Sequence, residues 1–155
     1  MANALSSNLI DSTSNTTTDA PKAGAVARYA PVAARFLLGG MFFVFGLNGF
    51  LNFIPPPSEP PPQGAMDFGM AMMNSGYFMQ FVKGTEVLCG LLLLCNRFVP
   101  LSLVVLMPVV LNILAFHAFL APSGLGMAIV ILALTLYLAW VNRRAYAPLL
   151  RARTA

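Results

Sequence analysis

An otherwise apolar stretch of the sequence, residues 77–95, contains one lysine and one glutamate, Lys83 and Glu86. Gln80, Lys83, Glu86 and Gly90 are three, three and four residues apart, which places them on one side of a helix. Ionisable groups inside hydrocarbon cost free energy unless they are paired or face an aqueous pocket, so they are candidates for a functional site. The spacing therefore predicts that this side of the helix faces the interior of a helical bundle.

Three more polar residues, Asn48, Asn112 and His117, interrupt other apolar stretches. Counted at about 1.5 Å per residue from the outer helix ends, these residues, Lys83 and Glu86 all fall about 5 to 13 Å below one membrane boundary. This common depth predicts a polar layer in the outer half of the bundle. The candidate intramembrane polar site consists of Asn48, Gln80, Lys83, Glu86, Asn112 and His117.

Each of these polar residues also has a purely structural interpretation. Lys83 and Glu86 can form a satisfied buried ion pair, with the lysine extending outward, or they can handle a proton. A histidine near the outer boundary commonly bonds a backbone carbonyl, although His117 is also a candidate proton relay or ligand. Asn48 and Asn112 favour hydrogen bonds between helices. The sequence leaves these alternatives open.

Several chemistries are excluded by residue type and spacing. Cys89 and Cys95 point to different sides of one helix, so they predict neither a metal site nor a mutual disulfide. A single histidine cannot ligate a haem from both sides. The sequence contains no phosphate-binding glycine loop, no serine or cysteine triad pattern and no zinc spacing. We therefore predict no catalytic residue and no metal ligand.

The composition identifies the solvent in which these residues must fold. Of 155 residues, 58% are hydrophobic and 9% are charged, and the mean hydropathy is +0.76. A soluble domain of this size cannot bury so much apolar surface, so a soluble enzyme and a disordered chain are both excluded. The nine Lys and Arg residues are scattered at segment ends and do not form a basic face for nucleic acid.

Four apolar stretches predict transmembrane helices over about residues 34–54, 77–95, 98–120 and 125–141. The uncharged segment between Arg97 and Arg143 is more than twice the roughly 20 residues that one span needs, and residues 121–124 supply the break. The predicted fold class is an all-α integral membrane four-helix bundle. Residues 31–150 form the membrane domain, and the Ser/Thr-rich residues 1–30 form a disordered cytoplasmic tail.

The distribution of positive charge predicts the orientation of the bundle. Lysines and arginines precede the first helix, lie between the second and third, and follow the fourth, whereas the alternate loops have none. The positive-inside rule then places both termini in the cytoplasm. In the outer loop, the methionine-rich segment from Met66 to Asn74 is a candidate for a short interfacial helix that covers the bundle.

The stretch from about Ala34 to Leu150 resembles the DoxX family of small four-helix membrane proteins. The matching residues are Phe45 to Phe50, Ser75 to Tyr77, Lys83, Glu86, Gly90, Asn96 to Leu101, Pro108, Asn112 and His117. The resemblance implies a multi-pass protein of the bacterial inner membrane, and some members of this family are described as subunits of thiosulfate:quinone oxidoreductases or other redox complexes. The family has no agreed set of catalytic residues, so the resemblance assigns no catalytic activity to the chain alone.

Two functional hypotheses follow from the residues and the resemblance. In the first, the protein is an accessory or anchoring subunit of a redox-linked assembly, and its polar layer receives a quinone head group or a partner helix. In the second, it is a small proton-coupled transporter, for which four short helices would need a homo-oligomer. A membrane assembly factor is a third interpretation. The expected partners are the lipid bilayer, membrane or redox proteins and a second copy of the chain, with no nucleic acid.

Overall fold

The computed structural model describes residues 21–55 and 59–148, with side chains from residue 28 onward within those ranges. The chain divides into two units, with the boundary between Ala30 and Pro31. The first helix, α1, runs from Pro21 to Leu51, so it begins before the predicted start at about residue 34 and includes residues 21–30, which were expected to belong to the tail. Alanine recurs through residues 23–30 and favours a helix, and a proline suits the first helical position. The rest of the predicted tail, residues 1–20, lies outside the described residues.

Helix α1 ends at Leu51, three residues before the predicted limit. Asn52 adopts a left-handed backbone conformation with φ 49°, which a helix cannot continue. The side-chain oxygen of Asn48 accepts a hydrogen bond of 2.7 Å from the backbone N–H of Ile54 and stabilises this exit from the helix.

Two helices meet at a sharp bend after the loop that follows α1. Helix α2 spans Gln63–Asn74 and helix α3 spans Phe78–Leu94, with an angle of 92° between them. The hydroxyl of Ser75 donates to Met72 O at 2.6 Å and accepts from the N–H of Phe78 at 3.0 Å. Gly76 adopts a φ of +80°, which only glycine takes at little cost. Ser75 and Gly76 therefore fix the direction in which α3 leaves α2.

The second half of the chain is a helical hairpin. Helix α4 spans Val99–Phe119, a 3-10 turn follows over Pro122–Gly124, and helix α5 spans Leu125–Val141. A four-residue helix, α6, covers Arg143–Tyr146. The boundaries of α3, α4 and α5 lie within one residue of those expected from the sequence. Every regular element within the described ranges is helical, so the all-α fold class is confirmed.

Three helices are long and apolar enough to cross a membrane: Arg28–Leu51 of α1, α4, and the segment Pro122–Val141 that contains α5. The bent pair of α2 and α3 qualifies as a fourth only when the two are taken together as one broken span. Many large apolar side chains on the outside of these helices are exposed, among them Leu37, Leu88, Val104, Ile129 and Leu136. A perimeter of this kind suits contact with lipid.

The packed core lies at the end of the bundle where α1 contacts the last turns of α3. It contains Leu38, Phe42, Leu93, Leu103, Leu106 and Leu138, all nearly or fully buried. The two polar residues buried near this core bond within their own helices, since Ser102 donates to Phe98 O at 3.1 Å and Thr135 to Ile131 O at 2.8 Å. Self-satisfied hydroxyls avoid the cost of unpaired polar groups in hydrocarbon.

Glycines allow α1 and α3 to pack closely as antiparallel neighbours. A Cβ atom added at Gly39 would lie 3.0 Å from Leu93 Cβ, and one added at Gly46 would lie 2.9 Å from the backbone nitrogen of Val87. At Gly90 the nearest atom would be the backbone nitrogen of Phe43, at 2.6 Å. Small residues of this kind are typical of close helix packing in membranes.

The phenol of Tyr146 joins α6 to the start of α4 by donating a hydrogen bond of 3.1 Å to Pro100 O. Tyr146→Phe is expected to lower the free energy of unfolding by about 0.5 to 1.5 kcal/mol, the usual net value of such a bond. Burial raises the pKa of Tyr146 above its ordinary 10.0, so the bond stabilises the fold below about pH 10 and is lost as the pH passes the raised pKa.

Thermal unfolding in detergent at pH 8 and pH 11 measures both effects. Tyr137→Phe is the matched control because Tyr137 is 38% exposed. An equal loss of stability in the two variants at pH 8 would contradict the assigned role of the Tyr146 phenol.

Candidate functional site

A cavity of about 410 Å³ lies between α2, α3 and α4. Its size falls within the range of roughly 300 to 1,000 Å³ that small-molecule pockets occupy. The walls are mainly apolar, and the residues that supply most of them are Ala65, Phe68, Met72, Met79, Val82, Val109, Ile113 and Phe116. Four polar or ionisable side chains interrupt this surface: Lys83, Glu86, Asn112 and His117. Four of the six residues of the predicted polar site therefore line one cavity.

Lys83 and Glu86 form an ion pair on the α3 wall of this cavity. The Nζ of Lys83 donates to Oε2 of Glu86 at 2.8 Å, and the two side chains are 24% and 5% exposed. A Cβ added at Gly49 of α1 would lie 2.5 Å from Cγ of Lys83, so the aliphatic part of the lysine passes α1 at a position without a side chain. The pair faces the bundle interior, as the spacing on α3 predicts.

The ion pair leaves hydrogen-bonding capacity for a ligand. An ammonium group carries three N–H donors, and the contact with Glu86 uses one of those on Lys83. Asn112, on the facing wall supplied by α4, forms no side-chain hydrogen bond with any residue that the structure describes. Donors therefore stand on two walls of an apolar chamber, which is a common arrangement for orienting a small ligand.

His117 lies at the edge of the cavity and is held by its own helix. Its Nδ1–H donates to Ile113 O at 2.8 Å, and its ring meets Phe116 edge-on with centroids 5.2 Å apart. The opposite edge of the ring, including Nε2, lies against Gly124 of the 3-10 turn, where a Cβ atom would clash. His117 thus forms the carbonyl bond that its structural interpretation expects, and its ring packs α4 against the turn that leads into α5.

Two residues of the predicted site lie elsewhere. Asn48 was expected to bond between helices, but its side-chain oxygen instead accepts the Ile54 N–H at the end of its own helix. Gln80 was expected to face the bundle, but it is exposed and does not line the cavity. The antiparallel register that pairs Gly49 with Lys83 would place Gln80 opposite residues 52–53, beyond the end of α1. No α1 backbone is present there to cover the glutamine.

The contribution of α2 to the cavity was only partly foreseen. The segment was expected to form a covering helix, and α2 does cover the cavity through Ala65, Phe68, Gly69 and Met72. Phe68 packs on Phe116 of α4 with ring centroids 5.8 Å apart. The spacing of three, one and three residues from 65 to 72 is that of one helix face, so this pattern in the sequence contained the missing signal.

The described residues provide no metal centre, since no three His, Cys, Asp or Glu side chains among them come close enough to hold an ion. The DoxX family model matches residues 30–121, a range that includes all six residues of the predicted polar site and ends before α5. No curated protein and no solved structure matches the chain.

Proposed function

This chain belongs to the DoxX family of membrane proteins, and we propose that it is an accessory or anchoring subunit of a redox or quinone-linked complex. Its place is the inner membrane of a bacterium, and the cavity between α2, α3 and α4 receives the head group of a quinone. The carrying observation is the isolated ion pair of Lys83 and Glu86 in the wall of an otherwise apolar chamber.

The proposed arrangement has four crossings with both termini in the cytoplasm. Three helices meet the requirements for spanning on their own, and α3 supplies the fourth crossing while α2 lies near the outer interface. This arrangement puts Glu59 of the loop and Asp67 of α2 outside, and the segments that hold Arg35, Arg97 and Arg143 inside. The positive-inside rule favours it.

A quinone suits the cavity because its ring is flat and apolar while its two carbonyl oxygens accept hydrogen bonds. Lys83 has two further N–H donors on the α3 side, and the Asn112 amide on the α4 side has no partner among the described residues. Phe68 of α2 and Phe116 of α4 add aromatic surface where these two helices meet. Entry from the bilayer would let the isoprenoid tail remain in lipid while the head group enters the chamber.

Asn112→Leu is expected to weaken binding of a short-chain ubiquinone about 2- to 10-fold, because it removes one hydrogen bond to the ligand. Val109→Trp, which fills the cavity from α4, is expected to abolish binding. Equilibrium binding of radiolabelled ubiquinone to the purified protein in detergent measures both. The matched control is Gln80→Leu, which removes an exposed amide outside the cavity. Wild-type affinity in both cavity variants would rule out this site.

The subunit role is tested separately by isolating the tagged protein from its native membranes in mild detergent. We expect the isolate to contain subunits of an oxidoreductase and bound quinone. The Val109→Trp variant is expected to retain less quinone than the wild type. Isolates that contain the protein without any redox partner would contradict the accessory role, whatever the result for quinone.

The transporter alternative lacks a continuous polar path among the described residues. Beyond Glu86, the interior is closed by Leu38, Leu93, Leu103 and Leu106, and the hydroxyl of Thr135 is bonded within its own helix. A proton or solute would have to cross this packed core, so the geometry favours a binding role over conduction.

A further inference from the structure

A second cavity, of about 330 Å³, lies at the opposite end of the bundle from the first. It lies between α1, the connection from α3 to α4, and the end of α5. The residues that line it are Pro31, Val32, Arg35, Asn96, Phe98, Val99, Pro100, Leu138, Val141 and Asn142. One cationic side chain and two amides thus meet an apolar surface where the spanning helices end.

Arg35 is the unusual member of this lining. Its Nε atom is buried, and its N–H donates to no acceptor within the ranges that the structure describes. The guanidinium lies over the ring of Phe36, with its carbon 5.2 Å from the ring centroid. A buried donor without an acceptor costs free energy, and the cost is larger for a charged group. The terminal nitrogens of Arg35 form no hydrogen bond with any residue that the structure describes, so their N–H groups are available to an acceptor in the cavity that Arg35 lines.

The charge around the cavity specifies what kind of acceptor fits. None of its lining residues is acidic, and the only described glutamate on a spanning helix, Glu86, is paired with Lys83 in the first cavity. Arg97, Arg143 and Arg144 follow the lining residues Asn96 and Asn142 along the chain and are exposed. This end of the bundle is therefore cationic and attracts an anion.

The amides and the apolar residues narrow the choice of anion further. One N–H of the Asn142 amide donates to Leu138 O at 2.8 Å, which leaves its second N–H available, and Asn96 offers another amide. Val32, Val141 and Phe98 line the cavity yet are 43%, 40% and 64% exposed, so its apolar wall continues onto the perimeter that faces lipid. A phosphate with attached hydrocarbon fits such a cavity, since its oxygens accept from the amides and its hydrocarbon contacts the apolar wall.

We propose that this cavity binds the phosphate of an anionic glycerophospholipid, with Arg35 as the principal ligand and the acyl chains along Val32 and Val141. A guanidinium presents paired N–H donors that match the oxygens of a phosphate. Basic pockets between helices near the cytoplasmic face are typical sites for anionic lipid head groups. A free phosphate ion would share the contact with Arg35 but not the apolar part of the cavity.

Native mass spectrometry of the detergent-purified protein with added phosphatidylglycerol tests the proposal. Arg35→Gln is expected to weaken lipid retention about 10- to 100-fold, the effect of losing a charge-assisted hydrogen bond. Arg97→Gln is the matched control, because it removes an exposed arginine that does not line the cavity. Val32→Trp fills the cavity from an exposed position while Arg35 is kept, and it is expected to cause the same loss.

Equal retention in the wild type and in Val32→Trp would overturn the proposal, even if Arg35→Gln failed to fold. Equal losses in Arg35→Gln and Arg97→Gln would also overturn it, because they would indicate diffuse attraction. Inorganic phosphate at millimolar concentration is expected not to displace the lipid. Displacement that depends on Arg35 would assign the cavity to free phosphate and contradict the lipid source.

Discussion

Gly90→Ala is expected to destabilise the protein by about 3 kcal/mol, near the upper end of what overpacking usually costs. The added Cβ would lie 2.6 Å from the backbone nitrogen of Phe43, 2.9 Å from Gly39 O and 3.0 Å from the Cα of Phe43. All three are backbone atoms of α1, so no side chain can rotate to relieve the contact. Helices α1 and α3 would have to separate along the contact that positions Lys83.

The matched control is Gly84→Ala in the same helix. A Cβ at Gly84 meets nothing within 4 Å, so the substitution is expected to stabilise α3 by about 0.5 to 1 kcal/mol, the usual gain of alanine over glycine in a helix. Unfolding in mixed detergent micelles, followed by circular dichroism, measures both variants. Similar stability of the two proteins would show that the close contact between α1 and α3 is misplaced.

Lys83→Met is expected to destabilise the protein by about 3 to 5 kcal/mol, the usual result of removing one partner from a buried ion pair. The carboxylate of Glu86 would lose its hydrogen-bond donor while its side chain stays only 5% exposed. Glu86→Gln is expected to cost less, because the Lys83 side chain is 24% exposed and its ammonium can turn toward solvent. We therefore expect Lys83→Met to lower the free energy of unfolding more than Glu86→Gln does.

The double variant Lys83→Met with Glu86→Gln completes the cycle. It is expected to recover most of the stability that Lys83→Met loses, since it leaves no charge without a partner in the interior. The same unfolding measurement applies to all four proteins. Additive losses in the double variant would mean that the two side chains act independently, and this outcome would contradict the ion pair.

Much of the fold was predictable because a helix that crosses the hydrocarbon core needs a long apolar stretch with few charges. Long uncharged stretches gave α4 and α5 almost to the residue, and the break at Pro122–Gly124 separated them as expected. The family resemblance is also confirmed. The start of α1 was missed because composition alone does not distinguish an alanine-rich helical extension from a disordered tail.

The candidate site was predictable to the extent that it depends on one helix. The spacing of residues along α3 predicted that Lys83 and Glu86 face the interior together, because it places them on the same side of the helix. Gln80 lies on the same side of α3 but is exposed, because burial also depends on where the neighbouring helix α1 ends. Asn48 illustrates the same limit, since its bond to Ile54 depends on the left-handed turn after Leu51. The exposure of Gln80 therefore depends on tertiary geometry, whereas the bond of Asn48 depends on a local left-handed turn that hydropathy does not reveal.

The shortness of α3 bears on the surrounding bilayer. At about 1.5 Å per residue, its 17 residues extend about 26 Å, whereas the 21 residues of α4 extend about 32 Å. On the proposed four-crossing arrangement, α3 is shorter than a typical hydrocarbon thickness of about 30 Å. Helix α5 has the same 17 residues, but the 3-10 turn before it extends that span to the 20 residues Pro122–Val141, so the hydrophobic mismatch is largest at α3. The bilayer beside α3 is then expected to become locally thinner. Acyl-chain length therefore affects the tilt of the protein in the membrane and the membrane regions that it prefers.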